Sequence, residues 1–201
     1  MGLKLIAAAS RATDMATASF QEVPLYGGAI TCLLPRSLSD ASKFREVPDH
    51  QEVWVDTDSD RSVLFEILEQ KDVPDSQAIE FFLSDLAGFN EAEDPKVLQS
   101  RPALAAEVPH LAASARCLLG VGEQTVRKFR EARGNLIRIH VAALRLPEAS
   151  TDILITLNDP VRIDPESSSA GTVAPADSAE AIFEQILRSF RVVDWGLFGE
   201  A

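Results

Sequence analysis

The most constraining feature of the sequence is a run of apolar residues at every second position, repeated in several neighbouring segments. Ile137, Ile139 and Val141 alternate with Arg138 and His140, and Ile153, Ile155 and Leu157 repeat the pattern a few residues later. A period of two puts one set of side chains on each face of a strand. Strands are therefore expected over Leu136–Leu146 and Thr151–Leu157. Ser62–Leu68 joins them, with Val63, Phe65 and Ile67 on one side. Glu52–Val55 is a further short strand, and the polar run Asp56–Asp60 makes a hairpin of these two. Ala113–Val121 and Leu25–Leu34 complete the strands. The latter is opened by Gly27-Gly28, which suggests a bulge or close backbone approach, and ended by Pro35.

Two segments have the helical period. Ile79, Phe82, Leu83, Leu86 and Phe89 form one stripe within Ser76–Asn90, started by Pro74 and Asp75. Ile182, Phe183, Ile186, Leu187 and Phe190 form another, in a helix beginning at Asp177, where Asp177 and Glu180 have capping-box spacing. Ser39–Phe44 is expected to be one helical turn, Arg127–Gly134 a basic link, and Asp159–Ala176 a long loop. The ending Asp194–Gly199 is too apolar to remain in water and should pack on the body. Strands joined by short turns, with two amphipathic helices, give an α/β fold whose sheet is mainly antiparallel and carries helices on its faces.

At 201 residues, with 46% hydrophobic and 25% charged, the chain suits one folded domain. Residues 1–19, rich in Ala, Ser and Thr, are expected to be a disordered tail, and residues 20–201 the domain. A formal net charge of -12 disfavours nucleic-acid binding and anionic membranes, and steers basic partners in. Cys32 and Cys117 lie in apolar stretches and are expected to be buried reduced thiols.

Several motifs fail their own chemistry. Asp56, Asp58 and Asp60 imitate a calcium loop, but Arg61 and Ile67 stand where Gly and Glu are required. Gly120-Val121-Gly122 has Thr125 in place of the third glycine of a dinucleotide fingerprint, and is expected to be a strand-end turn. His50, His110 and His140 have no metal-ligand spacing, and His140 is expected at a surface or edge. No catalytic residue, cofactor or metal is assigned. Pro48-Asp49-His50-Gln51-Glu52-Val53 stands apart, with two carboxylates three residues apart before a strand. In a turn they would share a face. The segment alone admits three readings: a polar turn, an acidic binding site, or a paired-carboxylate catalyst.

Val47-Pro48-Asp49-His50-Gln51-Glu52-Val53 resembles the signature of the Ran guanine nucleotide release factors. Leu25-Tyr26-Gly27-Gly28-Ala29 resembles the family's opening strand, and Thr151–Thr156 followed by Pro160 its late strand. Phe81–Leu86 and Asp194–Gly199 are similar to plant and algal members. His50 departs from the usual Asn, and Tyr26 and Trp54 from Phe. The resemblance covers about Pro24 to Gly199. It implies an α/β/α sandwich around a six- to seven-stranded, mainly antiparallel sheet, a fold shared with the PsbP proteins. It implies a single Ran-binding domain that promotes release of bound guanine nucleotide in support of nuclear protein import. A monomer of nucleus and cytoplasm follows, with no cofactor and with Ran as partner. The family's key acids match Asp49 and Glu52, His50 and Gln51 lie between them, and Asp40 is a further candidate. The alternatives are a PsbP-type structural or assembly subunit of a chloroplast complex, and a small-molecule enzyme with a deep pocket at Asp49, His50 and Glu52.

Overall fold

The computed structural model describes residues 19–127, 133–172 and 177–199. The expected tail at 1–19 thus lies almost wholly outside the described residues, as do parts of the links at 127–134 and 159–176. Ten strands and two α-helices are described: β1 Phe20–Leu25, β2 Ile30–Pro35, β3 Ser39–Asp40, β4 Gln51–Val55, β5 Ser62–Glu69, α1 Asp75–Phe89, β6 Glu93–Pro102, β7 Arg116–Val126, β8 Asn135–Leu146, β9 Thr151–Arg162, α2 Ala179–Ser189 and β10 Arg191–Val192. Seven strands form one antiparallel sheet in the order β3-β4-β5-β9-β8-β7-β6, and β1-β2-β10 form a second, smaller one.

The alternation seen in the sequence sets which layer each face meets. Ile139, Val141 and Ala143 of β8 and Leu154 of β9 meet Ile79, Phe82 and Leu83 of α1. The opposite face presents Phe65, Ala142, Leu144, Ile153, Ile155 and Leu157. It packs on Leu25, Ile30 and Leu34 of the small sheet and on Ile182, Phe183 and Ile186 of α2. The result is a helix layer, a seven-stranded sheet, and a mixed layer of hairpin and helix. Burial of these aliphatic faces is the main stabilising contribution.

Several expectations are corrected. The single strand expected over Leu25–Leu34 is a hairpin, because Tyr26, Gly27 and Gly28 reverse the chain with φ of 49°, 67° and 98°. Gly120 and Gly122 do not end a strand but lie within β7, facing α1. A Cβ at Gly120 would come within 2.2 Å of the Ile79 side chain, so these glycines let the helix approach the sheet. His140 is not at an edge. It sits buried in β8, its ring centroid 5.8 Å from that of Phe183, and burial lowers its pKa. β9 continues to Arg162, so the loop after it starts later than Asp159. Helix α2 is capped by Ser178, not Asp177, with its side-chain oxygen accepting from Ala181 N at 3.1 Å. Ser39–Phe44 divides into β3 and a short 3-10 turn at Ala41–Lys43. Both cysteines are buried, free thiols whose pKa values are raised by desolvation, Cys117 to about 12. The Asp194–Gly199 ending does pack back, with Leu197 and Phe198 against the core.

One polar clasp fixes α1 against the sheet. Buried Arg145 pairs with Asp152 at 3.2 Å and with Asp75 at 2.9 Å, and donates to the carbonyls of Val73 and Lys71. Asp152, fully buried, also accepts from Lys71 N at 2.9 Å. Every charge in the clasp therefore has a partner, which burial requires.

Candidate functional site

The site candidates gather on the β3–β4 margin of the large sheet. Pro48 O accepts from Gln51 N at 2.8 Å, so Asp49 and His50 occupy the corner of a tight turn that leads into β4. Both side chains are exposed. Chain direction then separates the next two residues. Gln51 and Glu52, adjacent in a strand, point to opposite faces. On one face Gln51 Nε2 donates to Glu66 Oε1 at 2.7 Å across the β4–β5 pair, directly opposite in register. On the other, Glu52 reaches the β1–β2 turn, where its Oε1 accepts from Tyr26 N at 2.6 Å. Asp49 and Glu52 are thus neighbours through a turn and the first step of a strand, not two residues on one helical turn. Gln51 is half-buried and buttresses Glu66.

Tyr26 ties the pieces together. Its hydroxyl donates to Phe65 O at 2.8 Å, sharing its one proton with His50 O at 3.1 Å. A left-handed backbone costs a non-glycine residue roughly 1–2 kcal/mol. Tyr26 adopts it at φ 49°, and its bonds to Glu52 of β4 and Phe65 of β5, with the His50 carbonyl alongside, offset that cost. The turn is therefore held on the strand that carries Glu52. Asp40 pairs with Trp54 across β3 and β4, one same-face step from Glu52, and its side chain accepts from Ser42 N at 2.9 Å. Trp54 itself is buried, as a core aromatic.

Burial raises the pKa of Glu52, the Tyr26 N–H pulls it back, and the nearby Asp40 charge raises it again. Burial also raises Glu66, against the bond from Gln51 and the field of His50, with Asp85 adding to the rise. Among the described residues, none of Asp40, Asp49, Glu52 and Glu66 is in an ion pair, although Arg61, Arg101, Arg138 and Arg145 all are. Asp49 is exposed, and Asp40 and Glu52 are half-buried with no ion-pair partner among the described residues, which favours a cationic partner. Cavities of about 760 and 730 Å³ lie at α1 and beside the β6–β7 connection, lined by other residues. Among the described residues no cluster of three His, Cys, Asp or Glu side chains is placed to hold a metal. The spacing of Asp49 and Glu52 was legible in the sequence. Tyr26 and Glu66 were not, since their roles arise from pairings 26 and 15 residues away.

Comparison with known proteins gives one consistent answer. The model of the Ran-interacting Mog1 protein family matches residues 23–160. The chain is 39% identical over 188 residues to the Ran guanine nucleotide release factor of Danio rerio, covering 88% of this chain and 98% of that one. It is 30% identical to the nuclear import protein MOG1 of Saccharomyces cerevisiae, covering 89% and 84%. The crystal structure of the Saccharomyces cerevisiae Ran-binding protein Mog1p superposes with a TM-score of 0.68 at 29% identity, covering 90% of this chain and 98% of that chain.

Proposed function

This chain belongs to the Ran-interacting Mog1 family, and on that premise we propose that it binds the GTPase Ran and promotes release of its guanine nucleotide, in support of nuclear protein import. The observation that carries the site is the set Asp49, Glu52 and Asp40, gathered at one sheet margin with no ion pair among the described residues: Asp49 is exposed, and half-buried Glu52 accepts from Tyr26 N at 2.6 Å. The protein acts as a monomeric binding factor of nucleus and cytoplasm, through one Ran-binding domain that begins near residue 20. The comparisons do not favour a chloroplast subunit.

A release factor breaks no bond. It binds the empty GTPase more tightly than the loaded one, and linkage makes it weaken nucleotide by the same factor. A GTPase holds nucleotide with a P-loop lysine and Mg²⁺. When phosphate leaves, basic groups lose their counter-charge. Asp49, exposed at the corner, and Glu52, already biased against its own charge by burial and Asp40, gain most from meeting such groups. Removing one partner of a desolvated charge pair costs about 2–5 kcal/mol. The test is affinity for nucleotide-depleted Ran. The double variant Asp49→Ala with Glu52→Gln, which keeps an acceptor for Tyr26 N, is expected to lose the complex while melting like the wild type. A well-folded double variant with wild-type affinity excludes these acids from the interface.

A further inference from the structure

An acidic margin explains steering and specificity better than it explains lifetime. Charged rims change association rates, while residence time depends on desolvated apolar anchors. Such an anchor stands in the same loop as the acids. Phe44 is 71% exposed, between Asp40 and Asp49 in sequence. Its exposure is enforced by the backbone. Asp40 caps Ser42 N, and the N–H groups of Phe44 and Arg45 both bond Ala41 O at 3.0 Å. The inward positions of this loop are taken by Leu38 and Ala41, 5% and 2% exposed. Phe44 is left pointing away from the core on a braced turn. Phe44 is the exposed large apolar side chain of the loop that carries Asp40 and Asp49; others include Phe89, which ends α1 on the opposite side of the sheet, Val97 and Leu98 on the β6 edge, and Val193, whose N–H bonds Ala29 O beside the β1–β2 turn.

We propose that Phe44 is the apolar anchor of the Ran interface, entering an apolar recess on the GTPase while Asp40, Asp49 and Glu52 engage basic groups around it. The proposal rests on the Ran reading above and adds the residue that sets the lifetime of the complex. Lys43 and Arg45 flank Phe44 in sequence, with Asp40 and Asp49 further along the same loop on either side. Because the aromatic carries no charge, its loss should leave the ionic-strength dependence of association unchanged, unlike loss of Asp49.

The experiment measures association and dissociation rates of the full chain with nucleotide-depleted Ran at several salt concentrations. Wild type is read first, then Phe44→Ala, Phe44→Leu and, as an equally exposed control, Phe89→Ala. Phe44→Ala is expected to weaken the complex roughly ten- to thirtyfold, nearly all in the dissociation rate, with an unchanged salt slope and melting temperature. Phe44→Leu should recover much of the loss, and Phe89→Ala should bind as wild type does. Wild-type dissociation by Phe44→Ala, or an equal loss in Phe89→Ala, overturns the anchor while leaving the Ran reading intact. Absence of any complex with the wild-type chain overturns the Ran reading and the anchor with it.

Discussion

Glu52 has two jobs, and substitutions can separate them. Its carboxylate faces the proposed partner, and it also accepts from Tyr26 N at 2.6 Å, bracing the left-handed β1–β2 turn. Glu52→Ala removes the acceptor and leaves a half-buried N–H without a partner, which costs about 1–3 kcal/mol. For a domain of this size each kcal/mol lowers the melting temperature by roughly 2–4 °C, so a fall of about 2–12 °C is expected. Glu52→Gln keeps an acceptor oxygen and removes a charge that burial and Asp40 already disfavour. Its melting temperature should stay close to the wild-type value, although its charge contact with Ran is gone. The assay pairs thermal unfolding by circular dichroism with binding to nucleotide-depleted Ran. Glu52→Ala should lose both stability and binding, Glu52→Gln only binding. Equal destabilisation by the two variants refutes the bracing argument, and full binding by Glu52→Gln refutes the role of the charge.

The remaining predictions concern the clasp and the pH response. Asp152→Ala leaves Arg145 buried with one partner fewer, and should cost about 3–5 kcal/mol in urea unfolding; a loss below about 1 kcal/mol contradicts the clasp. Glu66 has its folded-state pKa raised by burial. Its contribution is therefore fully present below the ordinary glutamate pKa and is lost as pH rises through the raised value. Glu66→Gln, which can still accept from Gln51, should thus gain melting temperature relative to wild type between pH 4 and pH 7. A difference that is constant or shrinks over that range contradicts the assignment.

How much of this was legible in the sequence depends on where the signal lies. β5, β8 and β9 announce themselves by alternation because each buries a face against a helix or hairpin. β6 escaped notice for the opposite physical reason: it is an edge strand, exposed along almost all of Glu93–Pro102, so no alternation is imposed on it. β1 was missed because Tyr26-Gly27-Gly28 resembles a bulge locally, whereas its three positive φ angles reverse the chain so that Phe20–Leu25 pairs with Ile30–Pro35. His140 looked like a polar strand face, whereas α2 folds Phe183 over it. At the site, the acids were visible as a spaced pair. Their support was not, because Tyr26 reaches Glu52 only through tertiary packing.

The most direct test of the central claim is the rate of fluorescent guanine nucleotide release from Ran, alone, with the wild-type chain, and with the Asp49→Ala, Glu52→Gln variant. The account predicts acceleration by wild type and none by the folded variant. No acceleration by wild type contradicts the release function, and equal acceleration by both contradicts its assignment to this acidic margin.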